Sequence, residues 1–160
     1  MKTAIRLRHA SIDDVDALAA LYRDTIGHIN IRDYDEQQVA AWAGRSRNTE
    51  SLVRRIGEQY FLVAHSGSKL TGFASITTDG TYLDFLYVHH EHQGEGIAGA
   101  LYDTLEAYAR SLRSAAIESD VSITARPFFE YKGFMALCRQ EVVLDGVLLH
   151  NFRMRKELTY

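Results

Sequence analysis

Residues 88–101 read VHHEHQGEGIAGAL, and within them Gly94-Glu95-Gly96-Ile97-Ala98-Gly99 satisfies the pattern G-x-G-x-x-G. Glycines let a backbone approach phosphate oxygens closely, and the free N–H groups of a helix N-terminus attract anions. The string therefore predicts a pyrophosphate-holding loop at the start of a helix. Glu95 does not conflict with this, because backbone donors do the binding and its side chain can face solvent. Two kinds of ligand share the chemistry, a dinucleotide and some other pyrophosphate-bearing molecule.

The dinucleotide reading has one point in its favour. Glu118 lies about 20 residues beyond the last glycine, where a ribose-binding acid is expected. Two features count against it. In a dinucleotide fold the first glycine follows its strand almost directly, whereas here HHEHQ separates Val88 from Gly94. Such a fold also starts from this turn, and only residues 100–160 remain after it.

Working outward from the loop, Ile97, Leu101, Leu105, Tyr108 and Leu112 recur at helical spacing and predict a long amphipathic helix. On the N-terminal side, YFLVAHSG (60–67) and LTGFASITTDGTYLDFLYVHH (70–90) supply three strands, with Asp79-Gly80 as a hairpin turn signal. The opening TAIRLRHA (3–10) alternates like a strand. Ser11 then begins a helix whose buried face is Ile12, Val15, Ala19, Tyr22 and Ile26. Two shorter helices are expected between Asp33 and Gly57, around Val39 and Trp42 and around Leu52 and Ile56. Beyond the long helix, AAIESDVS reads as a strand. ARPFFEYKGF follows as a short helix stopped by Gly133, and then two strands joined at Asp145-Gly146. The order β-α-α-β-β-β-α-β-α-β-β implies an α/β fold, a mixed sheet with helices packed on it.

Composition narrows the function. The 160 residues include 46% hydrophobic and 24% charged ones, with a net charge of −3. That balance is ordinary for a soluble globular chain, most simply a single domain spanning 1–160. A net negative chain without a basic cluster argues against nucleic acid as a partner. No apolar run approaches the roughly 20 residues that cross a bilayer, so no membrane role is expected. The N-terminal segment carries Asp13, Asp14 and Asp16 where a signal peptide needs an apolar core, so a cytoplasmic location is expected. The lone Cys138 fits a reducing compartment and reads as a small buried hydrophobe.

LYVHHEHQGEGIAGAL resembles the acyl-CoA-binding segment of the GNAT N-acetyltransferase superfamily. There a strand ending in Val leads through a few polar residues to Q/R-G-x-G-I/A-G/A and a long helix. SITARPFFEYKGF resembles the superfamily's second signature, and IRLRHASIDDVDAL its first strand and helix. The resemblance covers essentially the whole chain. It implies a GNAT-like fold and an acetyl-CoA-dependent transferase acting on a small-molecule or peptide amine, with no metal. A homodimer is left open.

By the same resemblance, N–H groups of Gly94, Gly96, Ile97 and Ala98 cradle the CoA pyrophosphate, with Gln93, Glu95 and Gly99 in the same loop. Backbone groups of Leu86, Tyr87 and Val88 pair with the pantetheine arm, and the Val88 N–H polarises the thioester carbonyl. Ser122 stands where the superfamily often has Asn. Phe129 replaces the tyrosine taken to protonate the leaving thiolate, and Phe has no proton to give. Tyr131 is the nearest alternative acid, but an offset of two residues, about 200°, sets it on another helix face. A thiolate can also leave to water.

The attacking amine needs a base, and Asp84 is the candidate. It sits in an apolar strand, where alternation with Leu86 and Val88 points it toward the acyl cleft. The competing readings are a structural acid paired with an Arg and an anchor that binds the amine. His89, His90 and His92 read as a solvated loop rather than metal ligands, because neighbouring strand residues face opposite ways. His28, Tyr34 and Trp42 fall where the superfamily usually forms its acceptor pocket. Two further function classes stay open: a non-catalytic acyl-CoA-binding module, for which Phe129 argues, and an NAD-dependent oxidoreductase.

Overall fold

The computed structural model describes residues 4–160. Its strands are β1 (Arg6–His9), β2 (Gln59–Ser66), β3 (Lys69–Thr77), β4 (Leu83–Val88), β5 (Ala116–Ser122), β6 (Met135–Leu144) and β7 (Val147–Glu157). The helices are α1 (Val15–His28), α2 (Glu36–Ala43), α3 (Thr49–Glu58), α4 (Ile97–Ser111) and α5 (Arg126–Tyr131). Both short helices expected between Asp33 and Gly57 are present, so three helices precede β2 where the expected order had two. Asp35 and Asn48 start them, each side chain accepting a backbone N–H three residues on. The first residue of the expected opening strand, Thr3, lies outside the described residues.

β1 to β4 form one antiparallel sheet in chain order, and β5-β7-β6 form a second. The two meet where β4 and β5 run parallel. A single bridge joins Tyr82 to Glu118 there. Glu118 N–H donates to Thr81 O at 2.9 Å, and Ser119 Oγ donates to Leu83 O at 2.8 Å. Beyond these ties the strands separate. The mixed sheet expected from the sequence is thus two antiparallel halves hinged on one parallel contact.

Helices cover both faces of the first sheet. Ile97, Leu101, Tyr102, Leu105 and Ala109 of α4 pack on Leu62, Ala64, Ala74 and Ile76. Leu18 and Leu21 of α1 cover Phe61, Val63 and Phe73 on the opposite face. Because β2 is buried on both sides, its apolar residues run continuously instead of alternating.

Three packing expectations fail for identifiable reasons. Ile12 is 67% exposed, because residues 12–14 form a 3-10 turn and leave the periodicity of α1. Ser11 opens that turn through its backbone N–H, which donates to Asp14 at 2.8 Å. Leu112 is 45% exposed because α4 ends at Ser111. Cys138 is exposed rather than buried, since β6 is the edge strand of its sheet.

The Asp79-Gly80 turn connects β3 to β4 as expected, and Gly80 takes φ +72°. A Cβ there would lie 2.7 Å from Ser114 Oγ and 3.1 Å from Ala109 Cα, the backbone of α4. Gly80→Ala therefore meets both a left-handed conformation and a steric clash, and should cost about 1–3 kcal/mol. Thermal unfolding should show the loss as a Tm lower by several degrees. An unchanged Tm would mean that the turn relaxes without strain.

Candidate functional site

The glycine loop is built as its sequence demands. β4 ends at Val88, a 3-10 turn covers His90–His92, and α4 starts at Ile97. Gly94 and Gly96 take φ +73° and +84°. No atom lies within 4 Å of a Cβ added at either, so backbone conformation, not crowding, requires glycine there. The first bond of the helix runs from Ala100 N–H to Gly96 O at 3.0 Å. The N–H groups of Ile97, Ala98 and Gly99 therefore have no intrahelical acceptor and are free for an anion. Glu95 is engaged by His92 at 2.8 Å. Gln93 does not reach toward the loop amides; its Nε2 donates to Val88 O at 2.8 Å and ties the loop to the strand end. Thr25 Oγ1 donates to the same carbonyl at 3.0 Å.

Strand β4 carries the second half of the site. His89 N–H donates to Thr71 O at 2.8 Å. In an antiparallel ladder this makes Val88, opposite Gly72, and Leu86, opposite Ala74, non-hydrogen-bonded positions. Backbone groups of Leu86 and Val88 consequently turn away from β3 toward the gap before β5. Those of Tyr87 are used in pairing with Phe73. Of the three residues expected to offer backbone to a pantetheine arm, Leu86 and the N–H of Val88 are free to do so, the Val88 carbonyl being taken by Gln93 and Thr25, and Tyr87 contributes its side chain instead.

The ladder also contains an irregularity that period-two reasoning could not anticipate. Ile76 faces Leu83 while Ser75 faces Phe85, which leaves Asp84 unpaired as a bulge. The alternation flips there. Leu83, Leu86 and Val88 join the α4 side, whereas Phe85 and Tyr87 pack toward α1 and α3. Asp84 does not share the orientation of Leu86 and Val88. Its Oδ2 accepts from Arg55 Nε at 2.7 Å and from Gln59 Nε2 at 2.9 Å. The Arg55 guanidinium in turn lies 5.1 Å over the Phe85 ring.

Two cavities flank this strand. One, of about 250 Å3, lies between Leu86, Val88 and Ser119–Ser122 and is closed by Ala125, Phe128 and Phe129. The other, of about 280 Å3, has Tyr22, Tyr34, Trp42 and Phe85 in its walls and α2–α3 residues at its rim. Trp42, Asp84, Tyr87, Asp120 and Ser122 line both. Burial pushes the Tyr87 hydroxyl well above its usual range and raises Tyr22 as well. Burial also opposes the charge of Asp120, but bonds from Gln140, Arg153 and Tyr82 outweigh it and hold the carboxyl below its usual value. Both tyrosines thus stay neutral and Asp120 stays ionised at neutral pH.

The remaining candidates fall as follows. Ser122 is at the junction, its Oγ accepting from Ala125 N–H at 3.0 Å. Phe129 is buried against Phe134, with ring centres 5.0 Å apart, and lines the smaller cavity. Tyr131 is 84% exposed and lines neither cavity, as its helical offset implied, so the structure does not bring it to Asp84. Tyr34 and Trp42 line the larger cavity, whereas His28 stacks on His90 at 3.8 Å. His90 also stacks on His89, because the strand ends before them and a turn sets their rings on one side. The histidines are thus partly packed rather than simply solvated, and burial lowers the pKa of His89. Among the described residues no group of His, Cys, Asp and Glu could hold a metal ion. Glu118, the residue a dinucleotide reading needed for ribose, pairs with Arg153 and Arg155 across β5–β7. Arg55, Gln59 and Asp120 carried no local signal, since their roles depend on strand register.

A gap between parallel strands, lined by unpaired backbone and ending at helix amides, defines a binder of an extended ligand tipped with phosphate. Comparison with known proteins gives the class its name. The family model described as an acetyltransferase (GNAT) domain matches residues 30–158, and the chain belongs to that family. It is 32% identical over 153 residues to the uncharacterized N-acetyltransferase YafP of Escherichia coli K12, covering 94% of this chain and 95% of that one. A GCN5-related N-acetyltransferase of Rhodopseudomonas palustris superposes with a TM-score of 0.93 at 30% identity, covering 99% of each chain. The fold also matches the PaiA N-acetyltransferase of Thermoplasma acidophilum in complex with coenzyme A, with a TM-score of 0.79 at 22% identity over 97% and 99% of the chains. No described helix is long and apolar enough to cross a membrane.

Gly96→Glu adds bulk, negative charge and a left-handed penalty where an anion should sit. It should abolish acetyl-CoA binding by calorimetry while circular dichroism stays near wild type. Normal binding by this variant would show that the loop does not hold the phosphates.

Proposed function

We propose that residues 1–160 form one N-acetyltransferase domain that moves an acetyl group from acetyl-CoA to a primary amine in a ternary complex. The observation that carries the reading is the pair of cavities meeting at Asp84, Tyr87 and Ser122. One has the shape and free backbone for an acyl arm, and the other has room for a small amine. Family membership and the coenzyme A held by the PaiA relative support the choice of donor. The free thiol of Cys138 fits a reducing, cytoplasmic setting.

In this reading the amides of Ile97, Ala98 and Gly99 hold the pyrophosphate, and the backbone of Leu86 pairs with the arm like an added strand. The Val88 N–H donates to the thioester oxygen as charge develops there. An amine such as a Lys side chain has a pKa of about 10.4 and must lose a proton before it attacks. Asp84 offers Oδ1, since only Oδ2 accepts from Arg55 and Gln59. One ammonium proton passes to Asp84 through bridging water, the nitrogen then forms its bond to the acetyl carbon, the carbon–sulfur bond breaks, and the second amine proton leaves to solvent. The thiolate takes its proton from water, because Phe129 has none and Tyr131 is outside. Phe129 equally favours a second reading, a non-catalytic acyl-CoA-binding module. Turnover separates the two: a module binds acetyl-CoA and releases no free CoA with any amine.

Asp84→Asn should lower kcat/KM by a factor on the order of 10²–10⁴, the usual contribution of a positioned base. Acetyl-CoA affinity should stay near wild type. Tm should also fall, because Arg55 loses its charged partner, so rates belong well below the transition. Retained activity with a lowered Tm would make Asp84 a purely structural partner of Arg55. Tyr131→Phe should change kcat less than tenfold, and a hundredfold loss would make Tyr131 the acid.

A further inference from the structure

The larger cavity is electrically polarised. On one wall, the β4 and β5 side, stand Asp84 and Asp120. Both already have cationic partners, Arg55 at 2.7 Å and Arg153 at 3.0 Å. The opposite wall is the 3-10 turn Gly44–Arg47 with the start of α3, and it includes donors that are not engaged. Among the described residues the Arg45 guanidinium makes no hydrogen bond or ion pair, although it lines the cavity. Ser46 and Asn48 line it too. The Ser46 hydroxyl has no partner, and Asn48 uses its Oδ1 on Ser51 N–H and leaves its Nδ2 free. The positive charge of Arg45 bears on the cavity, since it pulls down the pKa of Tyr22 and Tyr87 against the dominant effect of burial. With both carboxylates already paired, Arg45, exposed at the mouth of the cavity, is a lining charge without a partner among the described residues.

We infer that the acceptor is a small amine carrying a carboxylate, an amino-acid-like molecule whose anionic end is held by Arg45, Ser46 and Asn48. The inference rests on the acetyltransferase reading and adds the acceptor class to it. A planar guanidinium matches a carboxylate in fork geometry, and neighbouring hydroxyl and amide donors complete such a site. Bound that way, the amine end falls on the Asp84 and Asp120 wall, which is also the wall shared with the acyl cavity. Tyr22, Tyr34 and Trp42 lie between the two ends and suit an apolar or aromatic body. A volume of about 280 Å3 holds a molecule of amino-acid size.

The test uses matched pairs that differ only in the carboxylate: phenylalanine against phenethylamine, and 4-aminobutyrate against propylamine. CoA release is followed with the full-length protein and saturating acetyl-CoA. Kd for acetyl-CoA is measured separately for each variant. At least one carboxylate partner should have kcat/KM tenfold or more above its counterpart. Arg45→Gln should shrink that ratio about tenfold or more, mainly through KM, and Arg45→Lys should restore part of it. Equal kcat/KM within both pairs, or a ratio that survives Arg45→Gln, overturns the carboxylate assignment while leaving the transferase reading intact. CoA released from none of these amines, nor from a wider amine panel, overturns the transferase reading and this inference with it.

Discussion

One unpaired residue in β4 shapes both halves of the site. The bulge at Asp84 adds a residue opposite the Ser75–Ile76 step, and a bulged strand bends and twists more than its neighbours. The strand is tied to β5 before that point, through the Tyr82–Glu118 bridge and the Ser119 hydroxyl. Past it the strands part, and the gap between them is the smaller cavity, which we assign to the acyl arm. The bulge is held from the α3 side by Arg55 and Gln59 on a single carboxylate oxygen. Charge-assisted bonds of this kind contribute about 1.5–3 kcal/mol each when partly screened from water. A carboxylate left alone in that apolar strand would instead pay for its desolvation.

The glycine loop was legible because its requirement is local. Left-handed φ values at Gly94 and Gly96 and free amides at Ile97–Gly99 follow from the order of residues alone. The same holds for the stop at Gly133 and the turn at Gly80. Asp84 is the opposite case. Its type marked it as chemically active and an Arg partner was one of its readings, yet simple alternation grouped it with Leu86 and Val88, whereas it bonds toward α3 and lines both cavities. A bulge is decided by the partner strand, so no inspection of LDFLYV alone reveals it. Ile12 and Leu112 failed for a related reason: each matches the periodicity of a helix it lies outside, Ile12 three residues before α1 and Leu112 one residue after α4. Cys138 looked like a core residue because edge strands and inner strands share composition here.

Residues 33–57 were the least readable part of the chain, and they supply one whole wall of the acceptor cavity. Their helices were predictable from Val39, Trp42, Leu52 and Ile56. What Arg45 does depends on where a short 3-10 turn places its guanidinium, and that position is set by packing of α2 and α3 against α1 and β7.

The flip in β4 also explains how one strand can serve two substrates. On a regular strand, Asp84 would lie on the face of Leu86 and Val88, toward α4, and no carboxylate of β4 would reach the acceptor side. With the flip, Leu86 and Val88 present backbone to the acyl gap while Phe85, Tyr87 and Asp84 look toward the aromatic cavity. In the proposed mechanism, four consecutive positions after Asp84 therefore supply an oxyanion donor edgewise and an acceptor wall facewise. The acid and the Val88 amide are carried by the same rigid element, about four residues apart, or roughly 13 Å of extended chain. Neither can drift far from the other. Orientation is thus set by the strand itself, whereas the identity of the acceptor is left to the loop opposite, where substitutions at Arg45, Ser46 or Asn48 alter recognition without disturbing the β4 ladder.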